Sequence, residues 1–252
     1  MNSDIINIVS FSGGKDSTAM LLKMIELEMK IDDVVCFSMD DWEWPQMEKH
    51  IEKVKKILIE KNIKFTLLKT DKNKIELLKK RGFPNMFLRW CTGMKTQRIN
   101  QYLRSDYKNR EIKTHIGIAA DEKKRIKEGY FYPLADWGWT EKMALEYCYE
   151  KGFDWDGLYE LLPGKRVSCW CCPLQKVGDL RVVWTEFPEL WDKLRYMQSI
   201  SYQAFHLGGK SVYHFEDRFW REKYYTKINE KKKDNDLYLF PEIKNNLEIE
   251  EK

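Results

Sequence analysis

Ile5-Ile6-Asn7-Ile8-Val9-Ser10-Phe11 runs directly into Ser12-Gly13-Gly14-Lys15-Asp16-Ser17. The first seven residues are apolar and β-branched and predict a buried strand. From Thr18 to Lys30, Met20, Leu21, Met24, Ile25 and Leu27 fall at helical spacing. The glycine turn therefore joins a strand end to a helix N-terminus. Adjacent glycines let the backbone take positive φ and approach a ligand closely. Successive N–H groups and the helix N-terminus then face an anion. Lys15 adds a cation, and Ser12 and Ser17 add hydroxyl donors. This is not a Walker loop, which needs four residues between a Gly and the Gly-Lys pair. It is not a dinucleotide fingerprint either, because G-x-G-x-x-G is absent. Two glycines alone would indicate only a turn; the whole string after a buried strand points to phosphate.

Working outward, Val34–Met39, Lys64–Lys69 and His115–Ala119 predict further strands. Gln46–Asn62, a stretch around Lys95–Arg104, and Thr140–Lys151 with Thr140 as N-cap predict helices. Strands alternating with helices imply an α/β fold: a Rossmann-like, mostly parallel sheet with helices on both faces. Ligands then bind beyond the carboxyl ends of the strands. Pro163-Gly164 marks a break. It divides an expected nucleotide-binding domain, 1–165, from a cysteine-containing, mainly helical C-terminal region, 166–252. The tail from Glu230 is charged, with Leu237–Pro241 able to dock.

The 252 residues suffice for a sizeable core. A net charge of +4 neither demands nor excludes a polyanionic partner. No apolar run approaches the roughly 20 residues of a membrane helix, and no signal peptide is visible. The expectation is a cytoplasmic protein without a membrane partner. There, cysteines serve more often as metal ligands or catalytic groups than as disulfides. The oligomeric state is left open, with a homodimer one option.

The Ser12–Ser17 string resembles the SGGxDS motif of the PP-loop ATP pyrophosphatases. Further stretches are similar to the phosphoadenosine phosphosulfate (PAPS) reductase-like branch of that superfamily. These are Asp40-Asp41-Trp42-Glu43-Trp44-Pro45, Arg89-Trp90-Cys91 with Lys95, Gly117 to Arg125, and Tyr132-Pro133-Leu134-Ala135-Asp136-Trp137 followed by Leu158-Tyr159. They run in the family's order from about Ile5 to Pro173. The resemblance implies cleavage of ATP between its α- and β-phosphates, with Mg²⁺, and adenylation of a substrate oxygen.

On that reading Ser12, Gly13, Gly14, Lys15 and Ser17 hold the pyrophosphate. Lys15, Asp16 and Asp40 are the candidate catalytic residues, with Asp16 and Asp40 the carboxylates for Mg²⁺. Asp16 serves equally well as charge complement to the helix N-terminus. Glu43, Lys95, Glu122 and Arg125 complete the candidate nucleotide-binding set, although each would also suit a solvated surface. Ala119 stands where relatives carry Arg, which puts one anion contact in doubt. Asp136-Trp137 reads as a cap and a core ring.

Cys169-Trp170-Cys171-Cys172 contains a C-x-x-C pair whose thiolates can share a metal or cluster. Relatives with an iron–sulfur cluster place ligands in the Arg89-Trp90-Cys91 segment. Cys91, Cys169 and Cys172 are therefore the candidate ligands of a [4Fe–4S] cluster with one open iron. A fourth ligand, Cys171 or a His, would instead suit Zn²⁺. Cys36 and Cys148 read as core, and His50 as a solvated residue of a charged helix. PAPS reductases proper use a nucleophilic Cys in a C-terminal E-C-G-x-H segment; here no Cys follows Cys172.

The leading expectation is thus an ATP-dependent, AMP- and pyrophosphate-forming enzyme that adenylates an acceptor for sulfur transfer. The acceptor is unidentified and could be a nucleic acid, tRNA or DNA. Trp184, Trp191, Arg195, Arg218, Trp220 and Arg221 could stack on bases or simply pack. The alternatives are a sulfonucleotide (PAPS or adenylyl sulfate) reductase-like oxidoreductase and a non-catalytic nucleotide-binding module with structural zinc.

Overall fold

The computed structural model describes residues 5–234; the expected docking segment Leu237–Pro241 lies outside them. Four strands form one sheet: β1 (Ile6–Phe11), β2 (Asp33–Phe37), β3 (Lys64–Leu68) and β4 (Ile112–Ile116). Their order is β3-β2-β1-β4, and every pairing is parallel. Successive strands step one way from β1 to β3, and β4 then returns to the other side of β1. The direction reverses at β1, and that crevice is where such sheets bind ligands. The central strands are buried on both faces, as Val9, Val34, Val35 and Cys36 show.

The first helices are α1 (Lys15–Glu26), α2 (Pro45–Glu60), α3 (Lys74–Arg81), α4 (Trp90–Asp106) and α5 (Pro133–Asp136). There follow α6 (Glu141–Glu150), α7 (Leu158–Leu161), α8 (Val177–Glu186), α9 (Pro188–Ile200) and α10 (Val212–Asp234). Helix α1 packs on β1 and α6, while α9 bridges α3, α8 and α10. Thr140 caps α6 as expected, accepting from Met143 N. Trp137 packs edge-on against Trp139. Among the described residues no helix is long and apolar enough to cross a membrane.

Several boundaries differ from the sequence reading, α4 beginning at Trp90 and β2 ending at Phe37, and two of the differences bear on the loop. β4 begins three residues earlier than expected, because the adjacent polar residues Lys113 and Thr114 of this edge strand break the apolar run and hide it. It ends at Ile116, where Phe131 joins by donating to Thr114 O and accepting from Ile116 N. Helix α1 starts at Lys15 rather than Thr18, so the glycine turn has only three residues.

The candidate nucleotide site and its thiol turn

Ser12, Gly13 and Gly14 make the whole connection between β1 and α1. Ser12 N donates to Ser17 Oγ at 3.2 Å, the two hydroxyls are 3.0 Å apart, and Ser17 Oγ donates to Gly14 O at 3.0 Å. The serines thus fold the loop onto itself. Gly13 takes φ +78°, and a Cβ there would lie 2.5 Å from Met47 Sδ. Among the described residues no side chain caps α1, whose N-cap is Gly14. The first N–H groups of a helix lack intrahelical partners and suit an anion; here Lys15 N is already taken by Tyr159 Oη. Gly117, just past β4, would bring a Cβ within 2.7 Å of the Ser17 backbone. Only glycine allows β4 to exit this close to the loop.

The loop is braced from behind by residues that the sequence did not connect with it. Trp155 Nε1 donates to Gly13 O at 2.8 Å, Lys15 N donates to Tyr159 Oη at 2.9 Å, and Cys148 Sγ lies 3.4 Å from Lys15 O. Trp155 and Asp156 both sit in the left-handed region, at φ +53° and +50°. Such non-glycine conformations cost roughly 1–3 kcal/mol each and persist where surroundings over-determine them. The Trp155 ring stacks on His50 at 4.5 Å, and His50 Nε2 is 2.9 Å from Thr18 Oγ1. His50 is 4% exposed, so the expectation of a solvated histidine is overturned. Burial, with Lys53 nearby, lowers its pKa to about 4.

Lys15 is also buried, and its Nζ lies 2.9 Å from Asp16 Oδ2 and 2.8 Å from Glu141 Oε2. Burial opposes its charge, but the two carboxylates outweigh that and raise its pKa. Burial raises the Asp16 pKa, with Glu141 and Glu122 adding to it against the opposing pull of Lys15. For Glu141 burial is likewise the largest influence, yet its bonds to Lys15 leave the pKa lowered. Glu122 is paired with Arg125 at 2.5 Å. The sequence reading missed Glu141, which the turn carrying Glu122 positions: Glu141 N donates to Asp121 Oδ1 at 3.1 Å.

The end of β2 carries the second group. Asp40 sits at φ +50°, 2.6 Å from Lys69 and 3.9 Å from Lys74. Glu43 accepts from Met39 N at 3.2 Å and lies 3.5 Å from Lys95 Nζ. A cavity of about 360 Å³ opens beside Ser38, Asp40, Glu43 and Trp44. Among the described residues Trp44 Nε1 is a buried donor with no partner.

Cys169 Sγ lies 3.8 Å from Glu43 Oε2, and Cys172 N donates to Cys169 O at 3.0 Å, closing a tight turn. Trp170 Nε1 fastens that turn to Asp41 O at 2.9 Å. Cys91 is in the first turn of α4. Burial pushes the Cys169 thiol up, with the charges of Cys172 and Cys91 contributing. Burial lowers the Lys95 pKa, but Cys169, Glu43 and Cys91 outweigh it and hold the ammonium charged. The three predicted ligands therefore share one neighbourhood. Among the described residues, however, no three His, Cys, Asp or Glu side chains close on a common point at metal-ligand spacing. The donor chemistry suits a thiolate-bound group, which would displace the thiol protons on binding. Cys171 is a core residue, as are Cys36 and Cys148.

A parallel sheet that delivers a Ser-Gly-Gly loop and a helix N-terminus to its switch point is the arrangement of a PP-loop domain. The chain belongs to the phosphoadenosine phosphosulfate reductase domain family, whose profile matches residues 6–175. It is 29% identical over 208 residues to the uncharacterized protein MJ0066 of Methanocaldococcus jannaschii, covering 74% of this chain and 40% of that protein. The chain thus spans well under half the length of this curated relative. Among solved structures it is similar to a phosphoadenylyl-sulfate (PAPS) reductase from Candida auris in a phosphate complex. That likeness has 16% identity and a TM-score of 0.44, covering 66% of this chain and 83% of the other. It is also similar to the U34-tRNA thiolase NcsA from Methanococcus maripaludis with its [4Fe-4S] cluster. Here identity is again 16% and the TM-score 0.44, over 87% of this chain and 73% of the other.

Proposed function

We propose that this chain binds ATP at Ser12–Ser17 and uses it to adenylate an acceptor destined for sulfur transfer. The observation that carries the reading is the Ser12-Gly13-Gly14 turn leading into the N-terminus of α1, with Gly14 an N-cap that has no side-chain bond and a buried Lys15 beside it. Helix N–H groups and a lysine suit a pyrophosphate leaving group. An acceptor oxygen attacks the α-phosphorus, the bond to the β-phosphate oxygen breaks, and pyrophosphate leaves. A sulfur nucleophile then displaces AMP from the acceptor. Lys15 exchanges both Asp16 and Glu141 for phosphate oxygens, which would free Asp16 for Mg²⁺, with Asp40 the second carboxylate. Mg²⁺ would neutralise the departing pyrophosphate. The adenosine end lies in the cavity beside Ser38 and Trp44. Cys91, Cys169 and Cys172 would hold a [4Fe–4S] cluster, which supplies an iron position for sulfur; Zn²⁺ there would be structural.

The test is an anaerobic preparation assayed for iron and zinc, for ATP binding by calorimetry, and for AMP and pyrophosphate with Mg²⁺-ATP. Lys15→Ala is expected to lower AMP formation by roughly 10²–10³-fold, as loss of an aimed electrostatic donor does. Wild-type protein that binds adenylyl sulfate but not ATP would replace this reading with the sulfonucleotide-reductase one. Binding of neither nucleotide would refute both.

A further inference from the structure

Two openings flank the Cys169–Cys172 turn, and they have opposite character. The cavity beside Glu43, which contacts Cys169, is lined by Asp40, Asp41, Glu43, Glu48 and Glu52, with Lys69 and Lys193 its only cations among the described residues. The other, of about 270 Å³, is lined by Phe83, Phe87 and Phe205 and by Pro173, the residue after Cys172. Among the described residues no carboxylate lines this second opening.

The two segments that lead to it carry cations within their bounds, two of them, Lys79 and Lys95, paired with Glu76 and Glu43 outside those bounds. Residues 77–105 contain Lys79, Lys80, Arg81, Arg89, Lys95, Arg98 and Arg104 and no Asp or Glu. Residues 161–178 contain Lys165, Arg166 and Lys176 and again no Asp or Glu. Both cysteine-bearing segments are thus purely cationic in a chain with 40 acidic residues. Arg81, Arg89, Arg166 and Lys210 are exposed.

Phe87 stands at this mouth and is 97% exposed. Its loop is fixed: Asn85 Oδ1 accepts from Phe87 N and Leu88 N, each at 2.9 Å. Beneath it Phe83 packs edge-on against Phe205 at 5.1 Å. A cationic surface with a ring held in water is what unpaired nucleic acid selects, phosphates on the cations and a base on the ring. The stretch that the sequence offered for this role is largely engaged, although Trp220 is exposed. Trp191 is buried, and Arg195, Arg218 and Arg221 each pair with a carboxylate.

We propose that this basic mouth receives an unpaired base of a nucleic-acid strand, stacked on Phe87, with the flanking phosphates on Arg81 and Arg89. The base then lies beside the turn that ends in Cys172. This names the acceptor class for the reaction proposed above and rests on that reading for its chemistry, though not for binding.

Fluorescence anisotropy with labelled oligonucleotides of about a dozen nucleotides tests it. Single-stranded RNA, the same sequence in DNA, and the blunt duplex are titrated at two salt concentrations. The full-length protein is compared with Phe87→Ala, Arg81→Ala/Arg89→Ala and Lys15→Ala, each checked by thermal melting. Single strands are expected to bind more tightly than duplex, and the tighter of RNA and DNA identifies the source. Phe87→Ala should weaken binding roughly tenfold. The double arginine variant should flatten the salt dependence by about two in log–log slope. Lys15→Ala should bind strands like wild type. Equal binding by Phe87→Ala, or a duplex bound as tightly as single strands, would overturn the proposal. So would binding of polyglutamate but no strand, which would make this a protein-docking face. Strand binding without ATP binding would sink the ATP reading alone, and ATP binding without strand binding would sink only this one.

Discussion

At the scale of single residues, His50 shows what a charge pattern conceals. Glu48, Lys49, Glu52 and Lys53 around it read as a solvated helix, yet helical spacing aligns His50 with Met47, Ile51 and Val54 on the buried face of α2. Its acid response follows. The unfolded histidine titrates near 6.5 and the folded one near 4. Between those values the unfolded chain holds more protons, so stability is fully present above 6.5 and is lost as pH falls toward 4. That gap corresponds to roughly 3 kcal/mol. His115, lowered to about 4 by burial, adds a second such contribution. Melting temperature against pH checks this: His50→Gln should shrink the acid-side loss by about half. An unchanged profile would mean that His50 does not fold neutral. The Ser12 to Ser17 string, by contrast, was legible as a strand-to-helix glycine turn, because that is local chemistry, although α1 already begins within it at Lys15.

At the scale of elements, the loop depends on the segment from α6 to α7. Tyr159→Phe removes the acceptor of Lys15 N and leaves that buried donor unpaired, at a cost of about 1–3 kcal/mol. The expected result is a lower melting temperature together with weaker ATP binding in calorimetry. Loss of stability with unchanged affinity would make Tyr159 a core residue only. This brace was not legible, since its partners are more than a hundred residues from the loop and no spacing encodes them. Helix α3 was missed for a different reason. It is short and charged with only Leu78 buried, and its local signals are confined to its ends: the cap Asn73, which accepts from Ile75 N and Glu76 N, and Gly82 with a basic last turn before it. The thiols fall between these cases. Spacing gives the Cys169–Cys172 turn, while the approach of Cys91 was available only through resemblance.

At the scale of the whole molecule, the hydrophobic core runs across the boundary expected at residue 165. Val9, Val34 and Leu134 belong to the same cluster as Trp170, Leu180, Trp191, Phe205 and Phe219. Trp44, just beyond β2, packs edge-on against Phe187 between α8 and α9, with ring centroids 5.1 Å apart. The sheet and the C-terminal helices are therefore expected to unfold together, as one transition in calorimetry. Leu194→Ala, in the buried face of α9, should lower that single transition by about 2–5 kcal/mol of stability. Two separated transitions, with only one moved by the variant, would restore the division into independent units.

The indole that braces Gly13 also gives the site its own optical signal. Trp155 is one of ten tryptophans, but its hydrogen bond ends on the loop and its ring lies on His50. A neutral imidazole leaves such a ring bright, and a protonated one quenches it. Ligand entry at the loop should therefore register as a change in emission that Trp155→Phe abolishes, and acid should dim the same component as His50 takes up its proton.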